Sequence, residues 1–444
     1  MKYFEEFNLN KAIQKALVDL DLRISTPIQE SAFAPIMSGR DLIGIAQTGT
    51  GKTLAYLLPA LQQWNFTSSR NPQILIIVPT RELVVQVVQE VEKLSSYQNL
   101  VVRGCYGGVN IRTQADELNL GLDVLVSTPG RLLDHILNGN LSVRDIKKLI
   151  IDEVDELFEL GFRPQLQAIL ELLPEKKQSL IFSATLSEEI EELARKELIR
   201  PLKVEAAPAG TPLDQIEESY IRVPNFYTKI EFLKRFFEGS EASKKILLFV
   251  GSRKLADLVH QELMQNEALQ IGIVHSSKSQ NYRFNAVKDF KTGTSNILLA
   301  TDLISRGIDI QEVSLVINLD VPDQAEIYLH RIGRTGRAQA AGKALTLISD
   351  FELERWEAVC DFTGSPKIEQ RLPEYLPLRT ELIPEEQPVQ TMVLPDIKTP
   401  SRKDAGPAFH EKKAKNQKVN VRKNWKKIKQ EKYGKPKKKG GKRR

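Results

Sequence analysis

Short apolar runs recur along the chain, separated by stretches long enough for one helix. Runs at residues 41–45, 73–78, 123–127, 148–152 and 179–183 have the length and composition of buried strands, and 81–94 and 163–173 carry apolar residues at helical spacing. Strands alternating with helices imply crossover connections and a mostly parallel sheet. The rhythm stops at Ala206-Ala207-Pro208-Ala209-Gly210-Thr211-Pro212, which reads as a linker, and resumes with runs at 245–250, 296–300, 313–318 and 344–348. The expected class is therefore α/β, with two tandem domains of similar size. The boundaries follow as 1–205, a linker over 206–213, a second domain over 214–370, and a Pro-rich connector and basic tail over 371–444. The apolar runs are strand-sized, far short of the ~20 residues that a bilayer-spanning helix needs.

Composition adds a charge asymmetry. The net charge of +6 divides into a body with 43 basic and 53 acidic side chains and, from Pro395 onward, a tail with 20 Lys or Arg against four Asp or Glu. A mildly acidic body with a strongly basic tail points to a polyanionic partner. Past Phe409 the tail is too poor in apolar residues to offset its ordering entropy, so no fold is expected there. Two cysteines, Cys105 and Cys360, suit a reducing compartment and no disulfide framework, and five scattered histidines argue against a protein-built metal site. The acidic opening residues 1–7 lack the apolar stretch of a secretory signal.

The chemistry begins at Ala46-Gln47-Thr48-Gly49-Thr50-Gly51-Lys52-Thr53, between a candidate strand and a candidate helix. Glycines let backbone N–H groups curl around phosphate oxygens, and the helix N-terminus adds its positive end. Lys52 then reaches the β and γ phosphates and Thr53 offers a hydroxyl to Mg2+. Ala46 stands where the generic pattern wants Gly. Asp152-Glu153-Val154-Asp155 ends the run Leu149-Ile150-Ile151. Open parallel sheets present ligands at the carboxyl ends of their strands, which places Asp152 to hold Mg2+ and Glu153 to orient and deprotonate an attacking water.

These residues open an ordered series. Pro79-Thr80-Arg81-Glu82-Leu83, Gly107-Gly108, Thr128-Pro129-Gly130-Arg131, Asp152 to Asp155 and Ser183-Ala184-Thr185 follow one another in the first half. Leu248-Phe249-Val250, Gln280 with Arg283, Ala300-Thr301-Asp302 through Arg306-Gly307-Ile308-Asp309, and His330 to Arg337 follow in the second. The chain resembles the DEAD-box RNA helicases over roughly residues 4–365. That resemblance implies two RecA-like domains, RNA-stimulated ATP hydrolysis with Mg2+, and local, non-sequence-specific unwinding of short RNA duplexes. It implies adenine recognition by Gln29 with Phe4 in support, a phosphate loop of Thr48, Gly49, Thr50, Gly51, Lys52 and Thr53, and a ribose contact from Asp309. Arg334 and Arg337 resemble arginine fingers that act on closure. Asp155, Ser183, Thr185 and His330 match the residues that couple nucleotide state to closure. Arg81, Gly108, Thr128, Arg131, Gln280, Arg283 and Thr301 match those that carry the RNA backbone.

The chain departs from the family at several positions. Leu22 replaces an aromatic that stacks on adenine, Asp21 a Gly, Ser25 a Pro, Val154 an Ala and Ser276 a Gly. The expected setting is a cytoplasmic monomer that binds duplex and single-stranded RNA, with ribosomal or messenger RNP as candidate surroundings and no membrane partner. Three alternatives accompany this reading. One is an ATP-gated RNA clamp or scaffold that never separates strands, one a passive chaperone acting through the tail, and one a DNA-directed relative.

Overall fold

The computed structural model describes residues 2–46, 49–205, 216–239, 244–266, 268–302, 313–336 and 342–387. The expected linker, the tail from 388 onward, Thr48, Asp309 and Arg337 lie outside the described residues. Each half of the chain builds a seven-stranded sheet in which every pairing is parallel. The first contains β1 (Leu42–Ile45), β2 (Ile74–Ile77), β3 (Val102–Cys105), β4 (Val124–Ser127), β5 (Lys148–Ile151), β6 (Gln178–Ser183) and β7 (Leu202–Glu205), in the order β3-β4-β2-β5-β6-β1-β7. The second contains β8 (Ile216–Arg222), β9 (Ile246–Phe249), β10 (Ile271–Val274), β11 (Ile297–Ala300), β12 (Leu315–Asn318), β13 (Gly342–Ile348) and β14 (Ile368–Gln370), in the order β10-β11-β9-β12-β13-β8-β14. This is the expected pair of RecA-like domains.

Helices on both faces explain the unbroken apolar runs. In β2, Ile74 and Ile76 join one core cluster while Leu75 and Ile77 join the other, and all four are buried. Each such side chain contributes about 1.5–3 kcal/mol on burial. The connecting helices start where small polar residues can cap them: the side chains of Thr80, Ser187, Asn225, Ser252 and Ser279 each accept a hydrogen bond from a backbone N–H of the first turn.

Five strands carry no continuous apolar run and lie outside the expected set: β3, β7, β8, β10 and β14. Four of them are sheet edges. An edge needs less apolar cover, which admits Arg103 in β3, Lys203 in β7 and a fully exposed β14.

Packing in the second half also continues beyond residue 370, into the stretch expected as a connector. Leu376 and Ile383 are buried in the cluster that holds Phe226, Ile230 and Leu233, and Leu372 packs against it. Asn225 donates its side-chain amide to the Arg379 carbonyl at 2.5 Å, and the Phe226 N–H donates to Glu386 Oε1 at 2.6 Å. Residues 371–387 therefore form a strap along the helix Phe226–Phe237.

Candidate nucleotide and RNA site

Nearly every motif lies just past the carboxyl end of a strand. The loop after β1 turns through Gly49 and Gly51, at φ +87° and +90°, where a side chain would be strained. A Cβ on Gly51 would stand 2.3 Å from Gln29 Nε2, so that glycine also makes room for the glutamine. Thr50 lies between them, and the helix Lys52–Gln62 follows directly. Lys52 reaches across to Glu153, Nζ to Oε2 at 2.8 Å, with both side chains buried.

Glu153 follows β5 in a left-handed conformation, φ 50° and ψ 53°. That turn lets its N–H donate to Asp152 Oδ1 at 2.9 Å. Asp152 Oδ2 accepts from the Tyr56 hydroxyl, also at 2.9 Å. Burial and then repulsion by Glu153 push the Asp152 carboxyl up to about 7, although Lys52 pulls the other way. Asp155 behaves oppositely: burial would raise it, but Lys52, His330 and Ser183 together hold it below the ordinary carboxylate range. Its Oδ2 accepts from the N–H groups of Ala184 and Thr185 at 2.9 and 3.1 Å, which ties the end of β5 to the end of β6. Val154 is fully buried in the core cluster on this face, so its two extra methyl groups fill core space rather than the phosphate side. Two buried carboxylates, Asp152 and Glu153, share one ammonium, and the Thr53 hydroxyl stands on the same helix as Lys52. An oxygen donor set with excess negative charge fits a hard divalent cation such as Mg2+.

The region around Gln29 explains two departures. Asp21 is left-handed at φ 53°, where glycine is the ordinary occupant; it pairs instead with Arg23 at 3.0 Å. Ser25 is buried, and its hydroxyl donates to the Lys2 carbonyl at 2.9 Å, pinning the N-terminal segment in a way proline cannot. Nearby, the Phe4 N–H donates to the Arg23 carbonyl at 2.9 Å, and the buried Phe4 ring packs on Phe7. Phe4 thus braces the loop from beneath. The Gln29 side chain accepts from the Thr26 N–H at 2.9 Å and donates to the Gly51 carbonyl at 3.1 Å, linking this loop to the phosphate loop. Leu22 is half-buried against the same core. Nothing in the structure explains Ser276, which is exposed.

Among the residues expected to meet RNA, Arg81 lies over Gly108 so closely that a Cβ there would come within 2.0 Å of Arg81 Nη1. Arg131 is committed to its own domain, donating to Gln114 Oε1 at 2.7 Å and to the Val109 carbonyl at 3.1 Å. It shapes the Gly107-Gly108 loop. Thr128 starts the helix Pro129–Leu137 after β4, and Thr301 follows β11 with its N–H on the Val274 carbonyl at 3.3 Å.

Gln280 and Arg283 cross between the two sheets. Gln280 Nε2 donates to Glu82 Oε1 at 3.2 Å, and Arg283 Nη1 stands 2.9 Å from the same oxygen. His330 comes from the second half as well: with Gln324 and Glu326 it lines a cavity of about 380 Å³ whose other wall includes Asp155, Thr185 and Glu189. Arg334 is buried one turn further on. Sequence reasoning assigned no role to Tyr56, Glu82 or Gln114. Glu82 alone lay inside a recognised motif, and Tyr56 and Gln114 had no signal beyond their neighbourhood.

Comparison with known proteins agrees with this geometry. A family model described as DEAD/DEAH box helicase matches residues 26–193, and one described as helicase conserved C-terminal domain matches 228–339. The chain is 35% identical over 356 residues to ATP-dependent RNA helicase DRS1 of Candida albicans, covering 79% of this chain and 58% of that protein. It is 36% identical over 349 residues to the DEAD-box ATP-dependent RNA helicase RhpA of Helicobacter pylori, covering 79% of this chain and 70% of that one. Among solved structures, S. cerevisiae Dbp5 bound to RNA and ADP BeF3 superposes with a TM-score of 0.76 at 26% identity, covering 84% of this chain and 96% of that chain. With the paired RecA-like sheets, the phosphate loop facing Asp152 to Asp155 and these relatives, the chain belongs to the DEAD-box family of ATP-dependent RNA helicases.

Proposed function

We propose that the chain works as an ATP-gated clamp that pries short RNA duplexes open and remodels RNP. The observation that carries this reading is the meeting of the two halves: Gln280 and Arg283 on Glu82, and His330 across the cavity from Asp155. In this reading Gln29 reads adenine, Lys52 binds the β and γ phosphates, and Thr53 with Asp152 holds Mg2+, which supplies charge neutralisation at the phosphates. Glu153 takes the proton of the attacking water, for which the Lys52 contact must exchange toward phosphate. Asp155, bonded to the backbone after β6 and facing His330, relays the nucleotide state to the closure. Arg334 supplies the finger charge to the γ phosphate, and Arg337 and Asp309, outside the described residues, take the family's places beside it. Arg81, Gly108, Thr128 and Thr301 line the strand-binding face, with Arg131 acting through its loop. Backbone contacts of this kind carry no sequence information. The same reading takes the enzyme as a cytoplasmic monomer acting on ribosomal or messenger RNP.

The test pairs an RNA-stimulated ATPase assay with a duplex-release assay on Glu153→Gln and wild type. Glu153→Gln should retain ATP and RNA together while both activities collapse. Hydrolysis by wild type without strand release would favour an ATP-gated scaffold, and full hydrolysis by Glu153→Gln would remove that residue from the mechanism.

A further inference from the structure

Tyr56 has no assigned role, yet its hydroxyl bonds one of the carboxylates beside the phosphate loop. The ring stands one turn into the helix that begins at Lys52, and it is fully buried. Its hydroxyl donates to Asp152 Oδ2 at 2.9 Å.

The ring has little freedom to leave this position. Phe182 of β6 packs against it at a centroid distance of 5.3 Å and a tilt of 54°. Phe182 in turn occupies the space over Gly44 of β1, where any Cβ would come within 2.5 Å of its ring. Asp152 is thus held at both oxygens, by the Glu153 N–H at Oδ1 and by Tyr56 at Oδ2. One bond alone would leave the carboxylate free to turn about its terminal torsion, which is broad and soft.

We propose that Tyr56 is a positioning residue that fixes the plane of the Asp152 carboxylate for a divalent cation shared with Thr53 and the nucleotide phosphates. It acts through Asp152 and touches neither phosphate nor the attacking water. The inference rests on the reading of Asp152 as a cation ligand. Partners of this kind set ligand orientation, and their loss typically weakens metal affinity about 10–100-fold.

Titrating Mn2+ into the ADP complex of the full chain, followed by electron paramagnetic resonance, tests it directly. Tyr56→Phe deletes only the hydroxyl and should weaken Mn2+ binding about 10-fold while leaving metal-free ADP affinity unchanged. Asp152→Asn should weaken it too, and adding Tyr56→Phe to Asp152→Asn should cost nothing more, because the phenol acts through that carboxylate. Wild-type Mn2+ affinity in Tyr56→Phe beside a loss in Asp152→Asn overturns the proposal and leaves the site reading intact. An additive double variant, or an equal loss of metal-free ADP affinity, overturns it in favour of a packing role. Undiminished Mn2+ affinity in Asp152→Asn overturns the site reading itself, and the proposal with it.

Discussion

Replacing Lys52 with alanine removes one ammonium from among three buried carboxylates. Its Nζ lies 2.8 Å from Glu153 Oε2, the side chains are 5% and 9% exposed, and the charges of Asp152 and Asp155 also act on it. Deleting one partner of a buried pair costs about 3–5 kcal/mol because the other charge is stranded. In a domain of this size 1 kcal/mol moves Tm by about 2–4 °C, so the unfolding of the first domain should fall by roughly 10 °C near neutral or higher pH. The loss should depend on pH. The Asp152 carboxyl is pushed up to about 7 in the folded chain, so it binds its proton more readily folded than unfolded. A raised carboxyl pKa destabilises above that value, and the penalty fades as pH falls toward the unfolded value of about 4. Without Lys52 to oppose the shift, Asp152 moves higher still. The gap between Lys52→Ala and wild type should therefore narrow from about pH 8 to about pH 5. Calorimetric melting of the nucleotide-free protein at both pH values measures it. A Tm loss of the same size at both, or none, would refute the electrostatic account.

The Glu82 bridge and the tail give two further expectations. Arg283→Ala and Glu82→Ala should each raise the RNA concentration for half-maximal ATPase, and the double variant should lose less than the sum, since both break one contact; strict additivity in a steady-state titration would separate the two residues. Truncation after Pro395 removes a segment of 20 basic and four acidic side chains. It should raise the RNA requirement and flatten its salt dependence while leaving the saturated rate unchanged, and an unaltered requirement across a salt series would count against RNA capture by the tail.

Central strands were legible because both of their faces are covered. Ile74 to Ile77 and Ile246 to Phe249 are unbroken apolar runs for that reason. Edge strands such as β3 and β14 escaped because one side needs no apolar cover. The strap at 371–387 escaped because its anchors, Leu372, Leu376 and Ile383, are sparse among prolines and match neither a helical nor a strand period. At the site, the phosphate loop and the Asp152 to Asp155 carboxylates were readable because their spacing within one segment is the chemistry. Contacts between distant segments were not. Gln280 meets Glu82 across 198 positions, and Tyr56 looks in sequence like any core aromatic. Arg131 shows the limit from the other side: its motif pointed to the RNA backbone, and only packing reveals that Gln114 and Val109 engage it.

The left-handed backbone at Glu153 has a consequence for how this enzyme responds to selection. Such a conformation costs a residue with a Cβ about 1–2 kcal/mol, whereas Gly adopts it freely and Asn with less difficulty. The buried Lys52 partner pulls the other way: losing the carboxylate would strand an ammonium at a cost of about 3–5 kcal/mol, more than the strain that Gly would release. Selection for survival at high temperature and selection for turnover therefore both keep glutamate at position 153, and a library sorted for heat resistance alone should retain the residue that takes the proton.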